Sequence, residues 1–343
     1  MSKTGIQSIL NKLTIKSYRR LDEELLKPTK KEIEEEVLKS VDNPEFRKKF
    51  EQFYQKIEVG GRKHFFIKEF DSSDEIDIKK NIEIIKEKYN KRSWDLLSEL
   101  NNLKGRNSII FWYEKDGGIF YLQKNIIKEI KEKIDEKENE NEIIVRYKKI
   151  RLHHVTFIRI DLMKKLIVVG TDTYQKLFKT PKEIKEWCYN TWEEFFEPGL
   201  YFLKNAITSN DIYKIIREDN SVVVRLKGSI SIDEGQFDKK TKDIKRIIKD
   251  INEGKYKLDE VKKNNSNIDI ITHPMLEDVK VKHEDKLNYK KAELYWFTDV
   301  SGEVNGFKVS ISAEDSAIIT YESHIYEKEI LNVIERIIQL REL

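Results

Sequence analysis

Two spacings of apolar residues alternate along this chain, and together they restrict it to a fold that mixes helices and strands. Residues 44–59 carry an apolar side chain every three or four positions, which is the period of an amphipathic helix. Asn43 can cap the start of this helix, with Pro44 in its first turn, and Gly60 can end it. The predicted apolar face comprises Phe46, Phe50, Phe53, Tyr54 and Ile57.

Short aromatic and β-branched runs supply the strand-type pattern. Residues 108–122 predict a hairpin, because Asp116-Gly117-Gly118 separates two such runs and glycine supplies the positive φ of a tight turn. Further strands are predicted at 154–161 and 166–170, and several more follow residue 220. The pattern predicts an α+β fold: a helix-rich N-terminal region with a candidate winged-helix-like module, then a β-richer C-terminal half. That half is expected to contain mostly antiparallel strands and to be closed by a C-terminal helix.

A charged stretch suggests how the chain divides. Residues 125–142 begin with the spacing of an amphipathic helix and end almost wholly charged, which is typical of an exposed boundary. We therefore place boundaries near 138 and 206. The predicted regions are a helical, winged-helix-like region over 1–138, a β-hairpin plus helix over 139–205, and an α+β domain over 206–343.

The charge balance favours a folded chain without a membrane segment. Lys and Arg total 65 and Asp and Glu total 62, so the net charge is +3, and 38% of residues are hydrophobic. Disordered chains combine low hydrophobicity with high net charge, which is not the case here. No apolar run reaches the length of a transmembrane helix, and the N-terminus lacks the apolar core of a signal peptide. We expect a cytoplasmic protein, and Cys188, the one cysteine, cannot form an intrachain disulfide.

The order of elements over 44–123 is that of a winged-helix module: helix, strand, helix, helix and hairpin. In such modules the last helix before the hairpin enters the major groove of DNA. That helix would begin at Ser93 here. A small α/β packing unit, or a winged helix used for protein contact, explains the same order. The basic side chains predicted to flank the phosphates are Lys91, Arg92, Lys104 and Arg106.

A second basic element is the predicted helix at 239–249. Its lysines and arginine outnumber its acidic residues, and such a face can follow a phosphate backbone. A solvated outer face on a core helix is the alternative. The candidate nucleic-acid contacts are Lys239, Lys240, Lys242, Lys245, Arg246 and Lys249.

Evidence for catalysis is weak in the sequence. Glu284 and Lys286, after Asp269 and Asp278, fit the acid-x-lysine spacing of Mg²⁺-dependent nucleases. Acid-x-base triplets are frequent by chance in a chain this rich in both charges. The six histidines form no zinc-binding spacing, and no phosphate-binding loop or nucleophile elbow is present. We therefore assign no catalytic residue, no metal ligand and no cofactor.

These observations favour a non-enzymatic nucleic-acid-binding or adaptor component of a prokaryotic cytosolic complex. The prokaryotic origin and a role in antiviral defence are interpretations of the AT-rich residue usage alone. One alternative is a structural or oligomeric subunit that binds protein partners or itself and no nucleic acid. The other is a divergent Mg²⁺-dependent nuclease. No membrane partner is expected.

Overall fold

The computed structural model describes residues 3–21, 29–92, 108–115, 117–139, 142–173, 178, 180–218, 222–232, 287–299 and 304–342. Within them, the α-helices are α1 (Lys3–Leu10), α2 (Ile15–Leu21), α3 (Lys30–Ser40), α4 (Pro44–Val59), α5 (Ser72–Lys88), α6 (Pro181–Glu193), α7 (Ser209–Glu218) and α8 (Glu327–Glu342). The strands are β1 (Lys63–Glu69), β2 (Ile109–Lys115), β3 (Ile119–Asn139), β4 (Glu142–Asp161), β5 (Leu166–Asp172), β6 (Lys204–Asn205), β7 (Val222–Ile232), β8 (Leu287–Asp299), β9 (Val304–Ser312) and β10 (Ala317–Thr320).

All ten strands of the described ranges belong to one antiparallel sheet. Its order is β2-β3-β4-β5-β1-β10-β9-β8-β7, and the short β6 pairs with the end of β1. β1 lies between β5 and β10 and is antiparallel to both. The sheet is continuous across residues 138 and 206, the two positions proposed as boundaries.

The described elements on the two sides of β1 follow the same plan. A helix, a four-stranded meander and a second helix occur as α5-β2-β3-β4-β5-α6 and again as α7-β7-β8-β9-β10-α8. In each unit the last strand lies beside β1 and the first lies farthest from it. The helices of the first unit pack on one face of the sheet, and those of the second unit pack on the other. The arrangement is that of an approximate two-fold axis along β1.

Local signals explain where several helices begin. Asn43 Oδ1 accepts hydrogen bonds from the Glu45 and Phe46 amides at the start of α4. Thr29 and Glu32 form a capping box at α3.

The mixed helix and strand content, the antiparallel sheet and the C-terminal helix are confirmed. The hairpin of β2 and β3 is also confirmed, with Gly117 and Gly118 at φ 85° and 76° in its turn.

Four N-terminal helices form a separate hydrophobic cluster against the sheet. α1, α2 and α3 pack on the inner face of α4, which includes the buried Phe50, Phe53 and Tyr54. Ile109 of β2 and Ile127 of β3 contact this cluster from the sheet. The layer of α1–α4 therefore packs on the part of the sheet near Ile109 and Ile127, whereas Tyr113, Tyr121 and Phe157 belong to the cluster of α7 and α8.

Two expectations differ from the structure. The winged-helix-like module is not confirmed, because β1 pairs with β5 and β10 rather than with the hairpin of β2 and β3. The helix predicted from residue 125 is wrong: these residues continue β3 as far as Asn139. They pair with β4 over their whole length, so cross-strand contacts replace the helical ones that their spacing suggested.

Candidate nucleic-acid interface

The strands β3 and β4 extend beyond their neighbours and form a two-stranded ribbon. β2 pairs with β3 only as far as Asn125, and β5 pairs with β4 only from Thr156 onward. We call the remainder, residues 126–139 and 142–155, the arm. At a rise of about 3.3 Å per residue, fourteen residues span about 45 Å. The two strands of the arm pair only with each other along this length.

On one face of the arm the charges of the two strands are matched. Glu132 lies opposite Lys148, and Asp135 lies opposite Arg146. Pairs of opposite charge across antiparallel strands stabilise a sheet by a few tenths of a kcal/mol to about 1 kcal/mol. This face needs no external partner for its charges.

On the other face, two lysines oppose each other. Lys131 lies opposite Lys149, and both are exposed. Neither has an acidic partner among the residues that the structure describes. Like charges in direct opposition destabilise a strand pair, and a bound polyanion would remove that cost. Arg151 lies two residues further toward the sheet on the same face and forms an exposed ion pair with Glu129, with Nε 2.8 Å from the carboxylate. We call Lys131, Lys149 and Arg151 the basic face.

A cleft adjoins the basic face at the base of the arm. It lies between β4 and the helices α1 and α3, in two adjoining pockets of about 460 and 530 Å³. Asn11 closes its floor by donating a hydrogen bond from Nδ2 to the Arg151 carbonyl at 2.8 Å. Acidic side chains are present as well, including Glu34 and Glu132. The basic side chains that line the cleft are Lys30, Lys31, Arg62, Lys148, Lys149 and Arg151.

A buried ionic cluster holds the base of the arm to the N-terminal helices. Asp172, the last residue of β5, contacts Lys63 and accepts from Lys12 Nζ at 2.6 Å and from the Val155 amide at 2.8 Å. The side chains of Lys12, Lys63 and Asp172 are 7%, 1% and 4% exposed. Burial opposes ionisation of Asp172, but Lys12 and Lys63 hold the pKa of its carboxyl well below the usual value. Burial lowers the pKa of Lys63 to about 8 although Asp172 favours its charged form.

The adjacent histidines of β4 point to opposite faces of the sheet, as a strand requires. His153 contacts the Tyr54 hydroxyl of α4 at 2.9 Å and Asn125 Oδ1 at 3.0 Å. His154 lies 3.1 Å from the Thr171 hydroxyl on the side of α6. Burial lowers the pKa of both imidazoles, to about 3 for His154, so both are neutral near pH 7. The described residues hold no group of acids, histidines and cysteines that could bind a metal ion.

Two of the nucleic-acid contacts predicted from sequence lie in the described part of the chain. Lys91 is exposed beside Trp112, with Nζ 5.6 Å from the ring centroid. Arg92 is buried, and its Nη1 lies 2.8 Å from Glu58 Oε2 and 2.5 Å from Gln123 Oε1. Its guanidinium is paired with Glu58 of α4 and buried in this structure, and its role beside phosphates stays a prediction.

The remaining sequence-based sites fall outside the described residues. This holds for Lys104 and Arg106, for the helix expected to begin at Ser93, and for the basic residues of 239–249. It also holds for the nuclease residues Glu284 and Lys286. These sites remain predictions.

Cys188 is described, is fully buried, and has a thiol pKa raised by burial, as expected of an inert core thiol.

The sequence pattern does not predict the arm, and the reason can be identified. Ile127, Ile130 and Ile134 have the spacing of one helical face, which predicts a helix. One signal pointed the other way: residues 143–151 carry β-branched and aromatic side chains and run directly into the predicted strand at 154–161. A strand of that length requires an equally long partner, and the preceding charged segment supplies it.

Comparison with known proteins adds no assignment to this geometry. No protein-family model matches the chain, and a search of curated proteins finds no significant match. No helix within the described ranges has the length and apolar character needed to cross a membrane.

Proposed function

We propose that this protein is a non-enzymatic DNA-binding component that contacts duplex DNA through the basic face of the arm. The observation that carries the proposal is the exposed opposition of Lys131 and Lys149, which is unfavourable in isolation and favourable beside phosphates. The adjoining cleft carries further basic side chains toward α3, of which Lys30 and Lys31 form ion pairs with Glu34 and Glu35. The defence role and the wider cytosolic complex remain predictions from the sequence.

The shape of the arm favours duplex DNA over RNA. The major groove of B-form DNA is about 12 Å wide and admits a two-stranded β-ribbon. The major groove of an RNA duplex is too deep and narrow for side chains to read. A ribbon with lysines on one face and matched ion pairs on the other can place the lysines against phosphates without unpairing its own charges.

A binding experiment with a labelled 25-base-pair duplex tests the proposal. Fluorescence anisotropy measures the affinity at salt concentrations between 50 and 300 mM. The slope of log affinity against log salt is negative, and each lost phosphate contact reduces its magnitude by about 0.9. The double substitution K131E/K149E should therefore reduce the magnitude of the slope by about 2 and weaken binding at least tenfold. Single-stranded DNA and an RNA duplex of the same sequence serve as competing probes.

A charge-matched control separates this surface from overall charge. Lys79 on α5 and Lys182 on α6 are exposed, lie on the opposite face of the sheet, and form only helical ion pairs. K79E/K182E changes the net charge by the same amount and should leave affinity within about twofold. Equal losses in both double variants, or no binding to any probe at 50 mM salt, would refute the proposal.

A further inference from the structure

Lys68 of β1 is a buried lysine that no carboxylate contacts among the residues that the structure describes. It is 6% exposed, its Nζ donates to Asn205 Oδ1 at 2.7 Å, and the same Nζ lies 6.0 Å from the centre of the Tyr189 ring. Buried lysines are almost always paired with an acid, because an uncompensated charge away from water is costly. Lys63 on the same strand follows this rule, since it contacts Asp172. Lys68 does not.

A second lysine lies beside the same aromatic ring. Lys185 Nζ of α6 is 5.6 Å from the centre of the Tyr189 ring and forms an ion pair with Asp315, in the turn after β9. Burial and the charge of Lys185 lower the pKa of Lys68, and Asp315 only partly opposes this shift. The two lysines therefore share one aspartate, and that aspartate contacts Lys185.

The strand register brings Lys291 of β8 to the same place. Lys291 lies opposite Ser312, directly before the turn that holds Asp315. The next residue, Ala292, belongs to the core of α7 and α8, so Lys291 points to the other face of the sheet, the face of α6. We call Lys68, Lys185 and Lys291 the lysine cluster. Its three charges outnumber the two acids of the adjoining turn, Glu314 and Asp315.

We propose that the lysine cluster binds the phosphoryl group of a small ligand, either inorganic phosphate or a phosphomonoester, with Lys68 and Lys185 as its principal contacts. A phosphoryl group carries close to two negative charges at pH 7 and three strong acceptor oxygens, which suits several donors at one place. Asn205 is exposed, and its Oδ1 accepts from Lys68, so its Nδ2 can donate to the same group. Tyr201, 60% exposed, packs on Tyr189 with ring centres 4.1 Å apart, which places the cluster near the surface.

Titration calorimetry in a chloride buffer tests the proposal with three probes: inorganic phosphate, glycerol phosphate and acetate. Both phosphoryl probes should bind more tightly than acetate, and the tighter of the two identifies the source of the group. K68M should weaken phosphate binding at least tenfold, because it removes a charge-assisted contact. K79M removes an exposed lysine of α5 that forms a helical ion pair, and should change affinity by less than twofold. The probes contain no nucleic acid, so the result is independent of DNA binding by the arm.

Urea denaturation separates a ligand-binding lysine from a purely structural one. Without phosphate, K68M should be at least as stable as the parent, because methionine fills the same space without the uncompensated charge. Phosphate at ten times its dissociation constant should raise the folded-to-unfolded ratio of the parent about elevenfold, and that of K68M by less than twofold. Three results would overturn the proposal: no binding of either phosphoryl probe at about 10 mM, equal affinity of K68M and the parent, or a K68M variant less stable than the parent without phosphate.

Discussion

Replacing Asp172 with asparagine, a side chain of the same size and shape, should be among the most destabilising isosteric substitutions in this protein. The carboxylate faces Lys12 and Lys63 and also accepts from the Val155 amide of the arm. In D172N both ammonium groups remain buried and lose the carboxylate that contacts them. Removing one partner of a buried ion pair costs about 3–5 kcal/mol, and urea denaturation at pH 7 should show a loss of that size.

The pH dependence of the loss tests its cause. In the parent, the pKa of Lys63 is about 8, below its ordinary value of 10.5, so the unfolded chain binds more protons between these values and stability rises with pH there. Without Asp172 the pKa of Lys63 falls further, and the rise begins at lower pH. The deficit of D172N should therefore shrink by about 1.4 kcal/mol between pH 7 and pH 9.

Two further variants complete this test. K63M/D172N removes one of the two ammonium groups that lose their partner and should be more stable than D172N alone. E186Q removes an acid from an exposed helical pair and should change stability by less than about 0.5 kcal/mol. A loss below 1 kcal/mol in D172N, or a deficit that does not change with pH, would show that the buried cluster contributes little to stability.

Three other predictions follow from buried or capping groups. Burial lowers the pKa of His64 to about 4 and that of His154 to about 3, so the unfolded chain binds more protons than the folded chain below pH 6.5. The free energy of unfolding, measured by urea titration, should therefore fall by about 2 kcal/mol for each histidine between pH 7 and pH 5. A flat profile would contradict this. G170A would place a Cβ 2.2 Å from the Phe157 ring, so thermal denaturation should show a loss of about 1–3 kcal/mol, and an unchanged melting temperature would exclude the clash. N43A removes the acceptor for two amides at the start of α4 and should cost about 0.5–2 kcal/mol in urea, while N43S should retain most of the stability.

Short-range features of the structure were largely predictable from the sequence. The helix at α4 follows from its apolar spacing and from the Asn43 cap, and both are observed. The hairpin turn follows from Gly117 and Gly118, which adopt the positive φ that glycine permits. In these cases the determining contacts join residues within about four positions of one another, so a local pattern contains the necessary information.

The arm shows why the candidate site was not predictable in the same way. The unfavourable opposition of Lys131 and Lys149 exists only because β3 and β4 pair in one register, and a shift of one residue would bring other side chains together. Arg92, predicted as a phosphate contact, is buried in an ion pair with Glu58, which lies more than thirty residues earlier in the chain.

The sequence by itself determined the mixed fold class, the helix caps, the hairpin turn and the opposite orientation of His153 and His154. Only the tertiary structure decided that residues 126–139 form a strand, that one sheet spans the proposed boundaries, and which lysines are left unmatched. The physical reason is the range of the interactions. Capping and helical contacts are local, whereas strand pairing and charge burial depend on residues that are brought together only when the whole sheet forms.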